Sequence, residues 1–312
     1  MKNLDFNIIA SDSLIATGKD SGEIISRLES LKNKFTEIEL IAIFNYFLKI
    51  EFDADVLCWL VKSLDKYRDS SSLQPLTDLL LMKEHTPNAD YTKEYYTNVR
   101  ALCAKAISNL KDNSSVHVLL YCLNDKHENY KVRLSCADAL GKLGDKYAVT
   151  TLMDVVADED EKSIYIRESA AVALGLIGDM RAVDSLVKII ESKNGIMDKF
   201  SFLKEKAIEA LCRLSPNNDR TFHALKKSLY DQNPQVRINT IEALLDYETP
   251  ETEELIQSML FDSDEEVQKN AVIAMYNIGA EEFMHKILNG SQYSQICKNE
   301  AQNLLENIED YE

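Results

Sequence analysis

The chain has 312 residues, 45% of them apolar, with only 9 glycines and 5 prolines. This is enough apolar material for a large core, and so little turn punctuation disfavours an all-β or α/β fold. The formal charge of −17 is uneven, with 16 acidic and 3 basic side chains in residues 246–312 against 36 and 32 in residues 1–245; a field of this sign repels phosphate backbones, disfavours direct nucleic-acid binding and suits a basic partner.

The first fifty residues lack the periodic pattern of the rest. With Asp5, Asp12 and no basic stretch ahead of an apolar one, the amino terminus does not read as a secretory signal. Two helices are expected, around Gly22–Lys32 and Glu37–Ile50, and residues 1–52 are assigned to a helical cap. The apolar run Leu40–Phe44 is interrupted by Asn45. No stretch approaches the roughly 18 apolar residues of a membrane span, so a cytoplasmic location is expected.

Residues 53–312 are expected to form one continuous domain of repeats. The clearest copies begin at Val132 (VRLSCADALGKLGDKYAVTTL) and Ile166 (IRESAAVALGLIGDMRAVDSL). Counting the first residue of each as zero, offset 5 is Ala137 and Ala171, offset 7 is Ala139 and Ala173, and offset 8 is Leu140 and Leu174. Weaker copies start at Val56, Val99, Leu203, Val236, Val267 and Ile296, at intervals of 29 to 43 residues. Apolar offsets 5, 8 and 11 share one face of a 3.6-residue helix, so each copy is a helix–turn–helix unit. Small residues at offsets 5 and 7 let the neighbouring helix approach, and the aliphatics fill the groove between. Gly144 and Gly178 stand where a left-handed cap would end the first helix, with Asp145 and Asp179 in the turn. One helix pair cannot bury that face alone, so the units stack. The fold class is therefore all-α: a right-handed α-solenoid of about seven to eight repeats with an N-terminal helical cap.

Offset 1 is basic in five units, at Arg100, Arg133, Arg167, Lys204 and Arg237, and Asp125, Asp160 and Asp231 lie in loops just ahead of repeats. The expected arrangement is a structural ladder in which each cation meets the carboxylate of the loop preceding it. Two insertions break the period. Residues 82–98 bring Tyr91, Tyr95 and Tyr96, and residues 192–202 bring Phe200 and Phe202. These aromatics, with Tyr130, are candidates for binding a partner, since insertions in a solenoid often map to its binding edge. The equal alternative is that they pin their own loops.

The block VRLSCADALGKLGDKYAV and IRESAAVALGLIGDMRAV resembles the HEAT-like repeats named for the phycobilisome lyases. The resemblance implies the solenoid; its implications for function are mixed. The family holds plain protein-binding scaffolds and phycobilisome-degradation factors. It also holds bilin lyases of the E/F type, which attach linear tetrapyrroles to cysteines of phycobiliproteins. Were this chain an enzyme, the resemblance implies a phycobilin:cysteine lyase, with Arg100, Arg133 and Arg167 for the bilin propionates and Tyr95, Tyr96 or Tyr130 as walls. Deoxyhypusine hydroxylase has similar repeats with His-Glu pairs for two irons. Here the corresponding positions read Leu134-Ser135 and Glu168-Ser169, and the single His-Glu pair, His127-Glu128, is placed in a loop.

The five histidines are scattered and unpaired at helical spacing, and no phosphate-cradling glycine motif is present. Cys58, Cys103, Cys122, Cys136, Cys212 and Cys297 include no C-x-x-C pair and are read as free thiols, most of them in helix cores. A part in iron–sulfur assembly through Cys103 and Cys136 is disfavoured, because both stand at a small packed offset. No metal, resident cofactor or catalytic residue is expected. The leading reading is a non-catalytic scaffold or adaptor, gripping a basic or helical segment with its second helices, near Ala148–Val156, Ala182–Ile190 and Phe222–Leu229. The alternative is a bilin lyase or lyase subunit acting on a phycobiliprotein.

Overall fold

The computed structural model describes residues 20–51, 53–82, 95–192, 199–214, 218–279 and 281–309. These residues form α-helices and short 3-10 turns, with no strand among them. The α-helices are α1 (Ser21–Ser30), α2 (Glu37–Ile50), α3 (Ala54–Tyr67), α4 (Leu73–Leu81), α5 (Thr97–Asn109), α6 (Val116–Asn124), α7 (Tyr130–Leu143), α8 (Val149–Ala157) and α9 (Ile164–Ile177). They continue as α10 (Val183–Glu191), α11 (Lys199–Leu214), α12 (Asp219–Ser228), α13 (Pro234–Leu244), α14 (Pro250–Met259), α15 (Glu265–Asn277), α16 (Glu281–Asn289) and α17 (Gln295–Glu309). No helix of the described residues is long and apolar enough to cross a membrane. The chain divides into two compact units, Met1–Leu152 and Met153–Glu312.

In the first unit, α1 and α2 pack on the first repeat. Thr36 and Glu39 close a capping box at the start of α2. Phe44 of α2 meets Trp59 of α3 edge to face, and Lys32 lies over the same indole. The first helices α3, α5 and α7 then pack side by side. In the second unit the first helices α9, α11, α13, α15 and α17 do the same, with α10 and α12 in contact behind them. Each unit is thus a stretch of α-solenoid.

The small-residue positions lie where the packing needs them. Ala104, Ala137, Ala171, Ala106, Ala139, Ala173 and Ala210 are buried, and the following Ile107, Leu140, Leu174 and Leu211 are fully so. Packing is closest at Gly175 of α9, where a Cβ would stand 2.8 Å from the Cα of Ala210 on α11. The turns repeat as well. Gly144 and Gly178 take left-handed conformations, with φ of 72° and 73°. The aspartate that follows each, Asp145 or Asp179, accepts a backbone N–H two residues on and starts a single 3-10 turn. Asp69 and Asp112 do the same after Arg68 and Lys111, which hold left-handed φ values of 53° and 55° without being glycine.

Candidate functional site

The ladder cations are built into the interior. Arg100 is 1% exposed, and its guanidinium forks onto Glu128 with bonds of 2.7 and 2.5 Å while Nε donates to the Leu80 carbonyl. Arg133 and Arg167 donate from Nε to Leu123 O and Val156 O. All three carbonyls belong to the penultimate residue of a second helix, α4, α6 or α8. There the arginine supplies a donor to the helix's unpaired last turn and a cation to its negative end. Lys204 pairs with Asp231 at 2.6 Å, and Arg237 forks onto Asp262 while also donating to Asp231 O.

At Arg100, Lys204 and Arg237 this geometry corrects the expected direction of the ladder. The carboxylates of Glu128, Asp231 and Asp262 belong to the loop that follows each cation's own repeat. The preceding repeat contributes carbonyls, from the last turn of its second helix or, for Arg237, from its loop, and Arg167 also lies in the field of Asp158, Glu159 and Glu161 of the loop before it. A helical side chain slants toward the N-terminus of its helix, which carries offset 1 past its own turn and onto the neighbouring repeat's loop. Asp125 turns its carboxylate to the His127 N–H, and Asp160 lies in a turn whose N–H is held by Asp158. Glu128, Asp231 and Asp262 stand four or five residues ahead of the next repeat start. That spacing was the available signal, and it separates Glu128 and Asp262 from Asp125 and Asp160.

The aromatic candidates part company. Tyr96 is 1% exposed and belongs to the core. Tyr95 stacks edge to face on it, and the Tyr95 hydroxyl accepts the Ala54 N–H at 3.5 Å, tying the insertion to the start of α3. Tyr130 and Phe202 are exposed at the first turns of α7 and α11. Tyr91 and the side chain of Phe200 lie outside the described residues. With Arg100, Arg133 and Arg167 buried, the groups offered for bilin propionates are turned inward.

The six cysteines are free. Burial pushes the Cys103 thiol up, and a hydrogen bond with the Cys122 thiol, together with burial, raises Cys136 as well. Among the described residues no group of three His, Cys, Asp or Glu side chains is placed to hold a metal ion. Glu128, of the single His-Glu pair, is taken up by Arg100.

Open concavities lie beside both helices of the repeat: one of about 370 Å³ is lined by Arg167, Lys204 and, from the second helix α10, Ser185, Lys188 and Ile189, and others lie on the outer face of the first helices. In the first unit a groove of about 510 Å³ runs over α3, α5 and α7, with Lys62, Lys105 and Lys142 beside Asp55 and Asp138. In the second unit a groove of about 310 Å³ lies between α11 and α13, lined by Glu209, Arg213, Glu242 and Asp246 among others. Offset 6 reads Lys62, Lys105 and Asp138 in one unit and Val172, Glu209, Glu242, Ile273 and Gln302 in the other. The units carry net charges of −2 and −15.

None of the curated proteins compared matches the chain. Among solved structures, human deoxyhypusine hydroxylase in complex with glycerol is similar at 17% identity and a TM-score of 0.35, covering 88% of this chain and 96% of that one. The complex of CpcE and CpcF of phycocyanin lyase from Nostoc sp. PCC7120 is similar at 18% identity and a TM-score of 0.46, covering 86% and 94%. The family model for HEAT repeats matches residues 90–164, 126–212 and 222–302, and with that coverage the chain belongs to the HEAT-repeat family.

Proposed function

We propose that the chain is a non-catalytic α-solenoid scaffold whose work is to hold a protein partner. The observation that carries this reading is the set of large aromatic side chains left in solvent at repeat after repeat. Tyr121, Tyr147, Tyr165, Phe202, Tyr230 and Phe261 are each more than half exposed. Within the second unit Tyr165, Phe202, Tyr230 and Phe261 recur over successive repeats, which suits a macromolecular partner better than one small ligand. The bilin-transfer alternative needs cations presented to two propionates. Arg100, Arg133 and Arg167 are instead turned inward, which supports the scaffold reading.

The test is chemical cross-linking of the tagged full chain in its native cell at moderate salt, followed by mass spectrometry and stoichiometry. One partner recovered near equimolar amounts is the expected result. Covalent chromophore on a co-expressed phycobiliprotein subunit, dependent on this chain and on bilin supply, would replace the scaffold with the lyase.

A further inference from the structure

The solvent-facing stripe of α9 reads Tyr165, Glu168, Val172 and Leu176, at spacings of three, four and four residues. Tyr165 is 60% exposed and Leu176 is 47% exposed, although every residue of the opposite face is buried. On the adjoining helix α11 the stripe begins with Phe202, 57% exposed, and continues to Lys206, Glu209 and Arg213. The equivalent positions are Asn239 and Glu242 on α13 and Asp246 in the turn after it. The three helices are packed in order within one unit, so the stripes form one surface. An apolar strip on α9 and the start of α11 gives way to an acidic strip toward α13.

Carboxylates outnumber cations here. Glu168, Glu209, Glu242 and Asp246 face Lys206 and Arg213, with Glu205 buried beside them, and Lys206 is already paired with Glu209 at 2.7 Å. Burial raises the Glu168 pKa, with Lys206 lowering it and Glu205 adding to the rise, and burial raises that of Glu205 against a hydrogen bond from Asn239 and the charge of Lys206. A further cation brought beside Glu168 would favour its charged form. A surface apolar along one edge and anionic along the other complements a helix that is apolar on one side and cationic on the other.

We propose that this face of α9, α11 and α13 receives a basic amphipathic helix of a partner protein. Its apolar side lies on Tyr165, Leu176 and Phe202, and its lysines or arginines meet Glu168, Glu209 and Glu242. The inference rests on the scaffold reading and adds to it the face and the chemistry of the partner.

The probe is a labelled synthetic helix of about 18 residues with leucine at i, i+3, i+4, i+7 spacing and lysine elsewhere. Its counterpart replaces every lysine by glutamate. Fluorescence anisotropy with the full chain reads affinity at low and moderate salt. The lysine peptide binds and the glutamate peptide does not. Glu209→Lys with Glu242→Lys, and separately Tyr165→Ser with Phe202→Ser, each weaken binding at least about tenfold while keeping the wild-type far-UV spectrum. Lys62→Glu with Lys105→Glu, in the other unit, changes it less than about twofold. Equal affinity for both face variants and wild type, or an equal loss in the control, overturns the proposal. The same variants enter the cross-linking experiment. A partner retained by both face variants sinks this inference and leaves the scaffold standing, whereas no stoichiometric partner for the wild type removes both.

Discussion

Replacing Arg100 by methionine is the sharpest test of the ladder. The side chain is 1% exposed, its partner Glu128 is 5% exposed, and three short bonds end on the guanidinium. Methionine keeps much of the packing volume but strands a buried carboxylate and the Leu80 carbonyl. Stranding one member of a buried ion pair costs about 3–5 kcal/mol, of which the orphaned carbonyl accounts for about 1–3 kcal/mol. Removing both charges, as Arg100→Met with Glu128→Leu, leaves neutral groups, the Leu80 carbonyl and the Asn129 N–H, in place of a stranded charge. The double variant should therefore recover about half of the loss or more, a coupling of about 2 kcal/mol. Urea unfolding followed by far-UV circular dichroism measures these differences as shifts of the midpoint at constant slope. Arg181→Met is the control, because Arg181 pairs with Asp179 while 56% exposed, and it should cost less than about 1 kcal/mol. A loss under about 1 kcal/mol for Arg100→Met, or a double variant worse than the sum of the singles, would refute a stabilising ladder.

Three further outcomes follow from single positions. Arg68→Gly and Lys111→Gly should each raise stability by about 0.5–1 kcal/mol in the same assay, since both residues hold left-handed φ values where later repeats use glycine. Gly175→Ala should cost about 1–3 kcal/mol, because the new methyl would press on the Ala210 backbone and two packed helices would have to part; an unchanged melting midpoint would deny the close crossing. Burial raises the Glu205 pKa, so its ionised form opposes folding above the folded-state pKa, and that opposition fades as pH falls toward and below the usual carboxylate range. Glu205→Gln should accordingly be more stable than wild type at pH 7, with the advantage shrinking in acid; an advantage that instead grows on acidification would contradict the assignment.

Much of the fold was legible because its determinants are local and periodic. Ala137, Ala139 and Leu140 recur as Ala171, Ala173 and Leu174, and a repeated stripe at helical spacing admits few packings. The expected helix Glu37–Ile50 has the boundaries observed for α2, since Thr36 and Glu39 mark its start in sequence. The ladder partners were harder to read, because their pairing is set between repeats. Arg100 and Glu128 are 28 residues apart, and only the slant of the helix decides which of two loops the guanidinium reaches. Tyr95 and Tyr96 illustrate the same limit. They are chemically alike and adjacent, yet one is held in the core and the other is 44% exposed. Nothing in the dipeptide distinguishes them until α3 is laid alongside.

The two sides of each first helix are under different constraints. Offsets 1, 5, 7 and 8 are consumed by the ladder and by helix crossings, so a change there meets a buried neighbour. The outer face meets solvent, and its residues can alter with little effect on folding. Offset 6 lies on that face, and it is where lysine at Lys62 and Lys105 becomes glutamate at Glu209 and Glu242 while Leu64, Ile107, Leu211 and Leu244 two residues on stay buried. Charge at this position therefore varies while the apolar face beneath it is kept. Exchanging lysine for glutamate at offset 6 should change partner preference and leave the unfolding midpoint nearly fixed. If those exchanges destabilised the chain as much as Arg100→Met, the outer face would be structural, and the separation of stacking from recognition would fail.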